Sequence, residues 1–260
     1  MRIDFKIGAV FLLVNALNLF SQQGLIGHWT FENRDNLVEA TVGSDLTLVG
    51  SHSAVAGPNT GNSAVNIGVG SYYICQHNIS ANGGGNKINE FTIVMDIKFN
   101  QPRVWYTLYQ TDVFNMTDGE WFVDKSGKMG IHATGYSDPV IESDKWYRLA
   151  IAVKNGSRYD YYVNGDLVLH GQPGAIDGRF ALESTVLFFA DENREDNPVD
   201  IAELRMYSRA LSDDEIAELG GFDQSGNDKP RDPVLIIHQG ADQELIAVVD
   251  PETHQDYGLA

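Results

Sequence analysis

The chain has 260 residues with 18 Lys+Arg against 36 Asp+Glu, a formal charge of −18 and a pI near 4.6. That balance excludes a nucleic-acid module that binds by counterion release, because phosphate contacts need a basic stripe and no Lys or Arg cluster occurs. At 43% hydrophobic and 21% charged the sequence is that of a folded chain, and a lone Cys75 excludes an internal disulfide, so an exported fold must hold by burial or by metal.

Arg2 and Lys6 precede an apolar run over residues 7–20, and Ser21-Gln22-Gln23 follow as small, polar residues. The run is shorter than the roughly 20 residues that span a bilayer, so residues 1–21 are expected to be a cleaved signal peptide. No Cys lies near the boundary, which speaks against a lipoprotein. The mature chain is thus expected to be secreted or held at the cell surface, without membrane insertion after signal cleavage.

From Leu25 onward the apolar pattern has period two. It is clearest over residues 91–99 (FTIVMDIKF), where the odd positions are apolar and Asp96 and Lys98 share the other face of a half-buried strand. Similar runs are LIGHWTF (25–31), LTLV (46–49), SYYIC (71–75), VWYTLYQ (104–110), EWFVD (120–124), KMGIHA (128–133), WYRLAIAV (146–153), YDYYV (159–163), a run from Asp166, VLFFA (186–190) and DIAELRMY (200–207). Turn pairs such as Asn155-Gly156 and Asn164-Gly165 separate them, without alternating helices, which predicts an antiparallel sandwich or barrel. Trp29, Trp121 and Trp146 lie in the best-patterned strands and read mainly as core.

Ser212-Asp213-Asp214-Glu215 is a capping box that opens one short helix, with Ile216 and Leu219 as its apolar stripe and Gly220-Gly221 as its stop. Residues 222–233 are polar with two prolines and read as a linker. Residues 234–260 read as a C-terminal hairpin around Gly240 or as the start of a further, incomplete domain.

GLIGHWTFEN near the start, SDKWYRLAIAVKNGSRYDYYVNGDLVL in the middle and VDIAELRMYSRALSDDEIAELGG at the end resemble, in that order, three marked segments of the laminin-G-like jelly roll of the concanavalin A-like superfamily. The resemblance covers residues 24–221. It implies an all-β, two-sheet antiparallel jelly-roll sandwich with one short C-terminal helix, first and last strands adjacent, and a ligand site on a concave face or on rim loops. It does not imply an enzyme. Where the family's strand usually carries an aromatic, this chain has Asp96, so no ligand contact carries over there.

Glycosidases of this fold set paired carboxylates on one strand, because alternate residues share a face and retaining chemistry wants the carboxyls about 5–5.5 Å apart. The nearest run is Asp200-Ile-Ala-Glu203, whose spacing predicts opposite faces. Gly130-Ile131-His132 has glycine where the fold's lyases carry an amide, the seven His form no HExxH or HxH pair, and no GxSxG elbow or Walker loop occurs. Cys75, on an aromatic strand, reads as a small buried hydrophobe.

Two constellations remain. Between two strands, Asp191, Glu192, Glu195, Asp196 and Asp200 crowd five carboxylates into ten residues, with Asn193 among them. Repulsion is relieved either by a structural Ca²⁺ held by Asp191, Asn193, Glu195, Asp196 and Asp200, or by water and Arg194 in a merely solvated loop. Glu32 joins that set if the terminal strands are neighbours. Asp196 stands where an EF-hand needs glycine, so the loop is not one. In VWYTLYQ, alternation sends Val104, Tyr106 and Leu108 to the core and presents Trp105 and Tyr109 outward, as rings on which a sugar can stack, unless loops cover that face too. The sequence therefore points to a non-catalytic extracellular module that binds a glycan or cell-surface polysaccharide. The alternatives are an adhesive accessory domain of a secreted hydrolase and, more remotely, a polysaccharide-cleaving enzyme with a carboxylate pair facing one cleft.

Overall fold

The odd residues of the strand read most clearly from sequence, Phe91, Ile93, Met95, Ile97 and Phe99, are all within 1% of complete burial. In the computed structural model, which describes residues 23–116, 119–223 and 228–229, this strand is the centre of the larger of two antiparallel sheets. The expected signal peptide, most of the expected linker and the expected C-terminal hairpin lie outside the described residues. In spatial order the first sheet runs β13 (Asp166–Gly171), β12 (Arg158–Val163), β11 (Trp146–Lys154), β6 (Glu90–Phe99), β15 (Val199–Tyr207), β4 (Ser63–Ile67) and β3 (His52–Ala56). Strand β1 (Leu25–Trp29) pairs with the second half of β15, Leu25 opposite Tyr207 and Trp29 opposite Leu204, so the first and last long strands are adjacent. The second sheet runs β10 (Gly135–Pro139), β9 (Lys128–Ile131), β8 (Trp121–Val123), β7 (Tyr106–Gln110), β14 (Thr185–Phe188), β5 (Tyr72–Gln76) and β2 (Thr47–Val49). The two sheets bury one aromatic core in which the Trp121 ring meets Tyr161 edge to face and the Tyr109 hydroxyl bonds that of Tyr159 at 2.7 Å. Among the described residues this is the two-sheet jelly-roll sandwich with one short helix.

Strand β6 is not half-buried as its alternation suggests. Its other face carries Val94, which packs with Ala150, Ala152, Tyr162 and Tyr207 beneath Leu211, Ile216 and Leu219 of helix α1 (Asp213–Glu218) and its flanks. The capping box that starts this helix is formed: Ser212 Oγ accepts the Glu215 N–H at 3.2 Å and Glu215 Oε2 accepts the Ser212 N–H at 2.8 Å. Its far end is tied down by Arg148, whose guanidinium donates to the Leu219 carbonyl and grips both oxygens of Asp96 at 2.7 and 2.6 Å. Position 96 is therefore a buried ion pair that fastens the helix to the sheet. Trp146 is buried, but on this outer face, where it packs against Phe222. Gly221 and Phe222 (β16) also pair with Asp228 and Lys229 (β17).

A register shift between Ile201 and Glu203 corrects the expectation for Asp200 and Glu203. The bulge sets Asp200 opposite Lys98 and Glu203 opposite Asp96, so both carboxylates lie on one face after all. Each is engaged there: Asp200 pairs with Lys98 at 2.8 Å, and Glu203 pairs with Arg205 at 2.6 Å and shares a hydrogen bond with His28 at 2.5 Å. Burial alone would raise the Glu203 carboxyl, but His28, Arg205 and Arg148 outweigh it and hold the group at about 2. A group held ionised in this way is no proton donor. Cys75 is 1% exposed and burial pushes its thiol up to about 12, which suits a packed hydrophobe.

Candidate functional site

Strand β7 organises the site. Tyr106 and Tyr109 both face the core, Tyr106 against Phe99 and Tyr109 against Phe91 and Tyr159. Residues three apart share a face only if one extra residue intervenes, and the pairing of β7 with β8 shifts between Thr107 and Tyr109 to supply it. Tyr109 is therefore fully buried, and the expectation that it is presented outward is corrected. Trp105 is part-buried and packs against the core, its ring edge-on to Phe122 at 5.8 Å. The outer surface around Thr107 and Phe122 is closed over by Gly119, where a Cβ would lie 2.6 Å from Thr107 Oγ1. Loops thus cover much of the face expected to be an open ring platform.

Along the other edge of β7 runs the acidic segment. Strand β14 pairs Phe188 with Tyr109, the Phe189 N–H donates to the Leu108 carbonyl at 3.2 Å, and contact resumes where the Glu195 carbonyl accepts the Thr107 N–H at 3.0 Å. Residues 190–194 are extruded between these points, with left-handed non-glycine residues at both ends, Phe189 at φ 64° and Arg194 at φ 76°. Asp191 Oδ2 closes the extrusion by accepting the N–H groups of Asn193 at 3.0 Å and Glu195 at 2.7 Å. Asp196 Oδ2 accepts the Gly70 N–H at 2.6 Å. The second oxygen of each, Asp191 Oδ1 and Asp196 Oδ1, is buried with no partner among the described residues. These residues are only 6% and 3% exposed. Burial, with the Asp191 charge adding to it, pushes the Asp196 carboxyl above the usual range.

The other residues expected in a metal set are engaged elsewhere. Glu32 accepts from Asn62 and the Ser63 N–H at 2.8 and 2.9 Å, and Asp200 is held by Lys98, Asn66 and Asn100 on the first sheet. Asn193 lies in the extruded loop, and Glu195 stands where the chain returns to β7, its carbonyl accepting the Thr107 N–H. Among the described residues no group of three or more His, Cys, Asp or Glu is placed to hold a metal, so the six-residue set is not assembled. Asp191 and Asp196 each keep one buried oxygen without a partner among the described residues, and the charge of the first acts on the second.

Beside this loop, at the end of β7, opens a cleft of about 790 Å³, within the range of ligand sites. Glu192 of the extruded loop lines it, with Asp112 and Met116 after β7, Glu120 before β8, and Asp177, Arg179 and Glu183 before β14. Glu120 is 2% exposed; one oxygen accepts the Thr111 N–H at 2.8 Å and the other faces Arg179 at 3.3 Å. Burial raises its carboxyl to about 7, only partly opposed by Thr111 and Arg179. Asp177 is fixed by the Asn86 and Lys87 N–H groups and by Asn89, which lower its carboxyl. The sequence marked Glu192 only as one of the crowded carboxylates and did not single out the others, because they converge from four separate loops. A second recess, of about 770 Å³, lies beside Trp146 and Phe222.

Two stacked antiparallel sheets with a loop-built cleft at one end define a lectin-like jelly roll. Residues 89–217 match the family Laminin_G_3, described as the concanavalin A-like lectin/glucanases superfamily. Among solved structures, Trypanosoma rangeli sialidase in complex with 2,3-difluorosialic acid is similar at 18% identity and TM-score 0.54, over 74% of this chain and 32% of the sialidase. This chain thus spans about a third of such sialidases. Domain 4 of AbnA, a GH43 extracellular arabinanase from Geobacillus stearothermophilus, in complex with arabinotriose, is similar at 19% identity and TM-score 0.54, over 75% of this chain and 98% of that domain. The receptor-binding domain of botulinum neurotoxin C/D mosaic serotype is similar at 18% identity and TM-score 0.52, over 74% of this chain and 50% of that one. At these identities the likeness is one of fold. No curated protein sequence matches the chain.

Proposed function

We propose that the protein is an exported, non-catalytic glycan-binding module whose site is the cleft between the loop after β7 and the extruded acidic loop. The observation that carries this reading is the cleft's wall, where fixed carboxylates, a guanidinium and an ammonium stand within one cavity of sugar-chain size next to the apolar Met116. Such a wall offers acceptors and donors to hydroxyls and a greasy surface to a ring face. The arabinanase domain, solved with arabinotriose, is a fold relative that supports a saccharide ligand. Binding is favoured over cleavage because Glu120, the carboxyl best suited by its raised range to give a proton, has both oxygens turned to Thr111 and Arg179. A glycan array probed with the purified mature chain should show oligosaccharide binding that Asp112→Ala weakens about tenfold or more, the loss of roughly one charged hydrogen bond. An array without binders overturns the proposal. Export is tested on secreted material, whose first residue should lie near Gln22; an intact Met1 would contradict it.

We further propose that Asp191 and Asp196 together bind one Ca²⁺. Two hard, partnerless carboxylate oxygens on Asp191 and Asp196 match the chemistry of that ion, with carbonyls and water completing its shell. The ion would neutralise two charges that now oppose each other and so fix Glu192 at the cleft. Binding to the native state alone should add roughly 2.7 kcal/mol at a hundredfold excess over Kd. Melting in chelator and in millimolar Ca²⁺ should give separated midpoints, and Asp191→Asn should bring them together. Identical midpoints in the unaltered protein return the loop to solvation by water.

A further inference from the structure

The charges in the cleft are unequal. Asp112, Asp177, Glu183 and Glu192 line it, with the buried Glu120 behind Arg179, against the cations Lys87 and Arg179. Both cations are already engaged within the wall: Lys87 Nζ lies 3.0 Å from Glu183, and Arg179 meets Glu120 and donates to the Gly119 carbonyl at 3.0 Å. Glu192 stands exposed at the rim, carried by the strained loop. On the loop that bears Asp112, Phe114 and Met116 are 78% and 72% exposed, large apolar side chains held in water beside the cavity. Apolar groups left open next to a polar cavity are what a saccharide with alternating hydroxyl edges and apolar ring faces would cover.

We infer that the cleft takes neutral or amine-bearing saccharides and turns away carboxylated and sulfated ones. This deepens the glycan reading above and rests on it. An anionic sugar entering here would meet surplus carboxylates, while the two cations that could receive it are bound to Glu183 and Glu120. An amine on the sugar would instead find Glu192 and Asp112 at the mouth. Sialic acid, whose difluoro analogue is bound in the sialidase of similar fold, belongs to the class this charge pattern rejects.

The test titrates the full mature chain with four probes: cellotetraose, a glucosamine tetramer, an oligogalacturonate and 3′-sialyllactose. The glucosamine tetramer should bind at least about tenfold more tightly than either anionic probe at low salt, and the gap should narrow at high salt as screening removes the surface term. Glu192→Lys, a change at an exposed side chain, should weaken the glucosamine tetramer several-fold and strengthen the oligogalacturonate. Binding confined to the anionic probes, or a glucosamine affinity indifferent to Glu192→Lys, overturns the inference and leaves the glycan reading standing. Binding of none of the four overturns both.

Discussion

Replacing Arg148 by alanine is expected to remove about 3–5 kcal/mol of folding free energy, the loss typical of breaking a buried ion pair from one side. The guanidinium holds Asp96 with two bonds, reaches Glu203 at 3.5 Å and donates to the Leu219 carbonyl at the end of helix α1. Its removal leaves Asp96, only 5% exposed, without its cation, and leaves the last helical turn without its tether. The pair between Lys145 and Glu142 has similar length, 2.7 Å, but its side chains are 40% and 69% exposed. Lys145→Ala should therefore cost below about 1 kcal/mol. Urea unfolding measures both. A loss for Arg148→Ala no larger than that for Lys145→Ala would contradict the role assigned to the pair. Converting both partners to apolar residues, Asp96→Leu with Arg148→Met, should recover much of the loss, since no charge is then left buried.

Stability should peak in mildly acidic solution, near pH 4–5, and two glutamates set the flanks. Burial raises Glu120 from 4.5 to about 7, so the folded state binds its proton more tightly than the unfolded chain. Its contribution is complete below pH 4.5, declines as the pH rises from 4.5 to 7 and is flat above, a fall of about 3 kcal/mol. Glu203 works in reverse: held at about 2 by His28, Arg205 and Arg148 against its burial, it stabilises above pH 4.5 and loses this as the pH drops toward 2, again about 3 kcal/mol. The raised carboxyl of Asp196 acts in the same sense as Glu120. Melting midpoints measured from pH 3 to 8 should trace this peak, and Glu120→Gln should flatten its alkaline side. A midpoint that climbs steadily from pH 4 to 7 would contradict the assignment.

The strands with strong alternation are legible in the sequence, and so is the helix, because its capping box is a local device that needs no tertiary partner. Strands β3, β4 and β10 are not, since HSAVA, SAVNI and GYSDP carry little period-two contrast and are ordered by the strands they pair with. Face assignments survive only where register is regular. One extra residue in β7 turns Tyr109 from the outer surface into the core, and one in β15 brings Asp200 and Glu203 to a common face. Neither bulge has a sequence signature here. The acidic loop was legible as crowded charge, but which two of its carboxylates keep an unpaired oxygen depends on Gly70 and on the loop's own N–H groups, contacts that only the folded chain creates.

The central claim is that the cleft beside β7 binds a saccharide. Backbone amide shifts of the isotopically labelled protein, followed while an array-selected oligosaccharide is added, test it most directly. The account predicts shifts concentrated at Thr111, Asp112, Gly178, Arg179 and Glu192, with Tyr109 and the recess beside Trp146 and Phe222 unmoved. Shifts centred on that second recess, or none at saturating ligand, would contradict it.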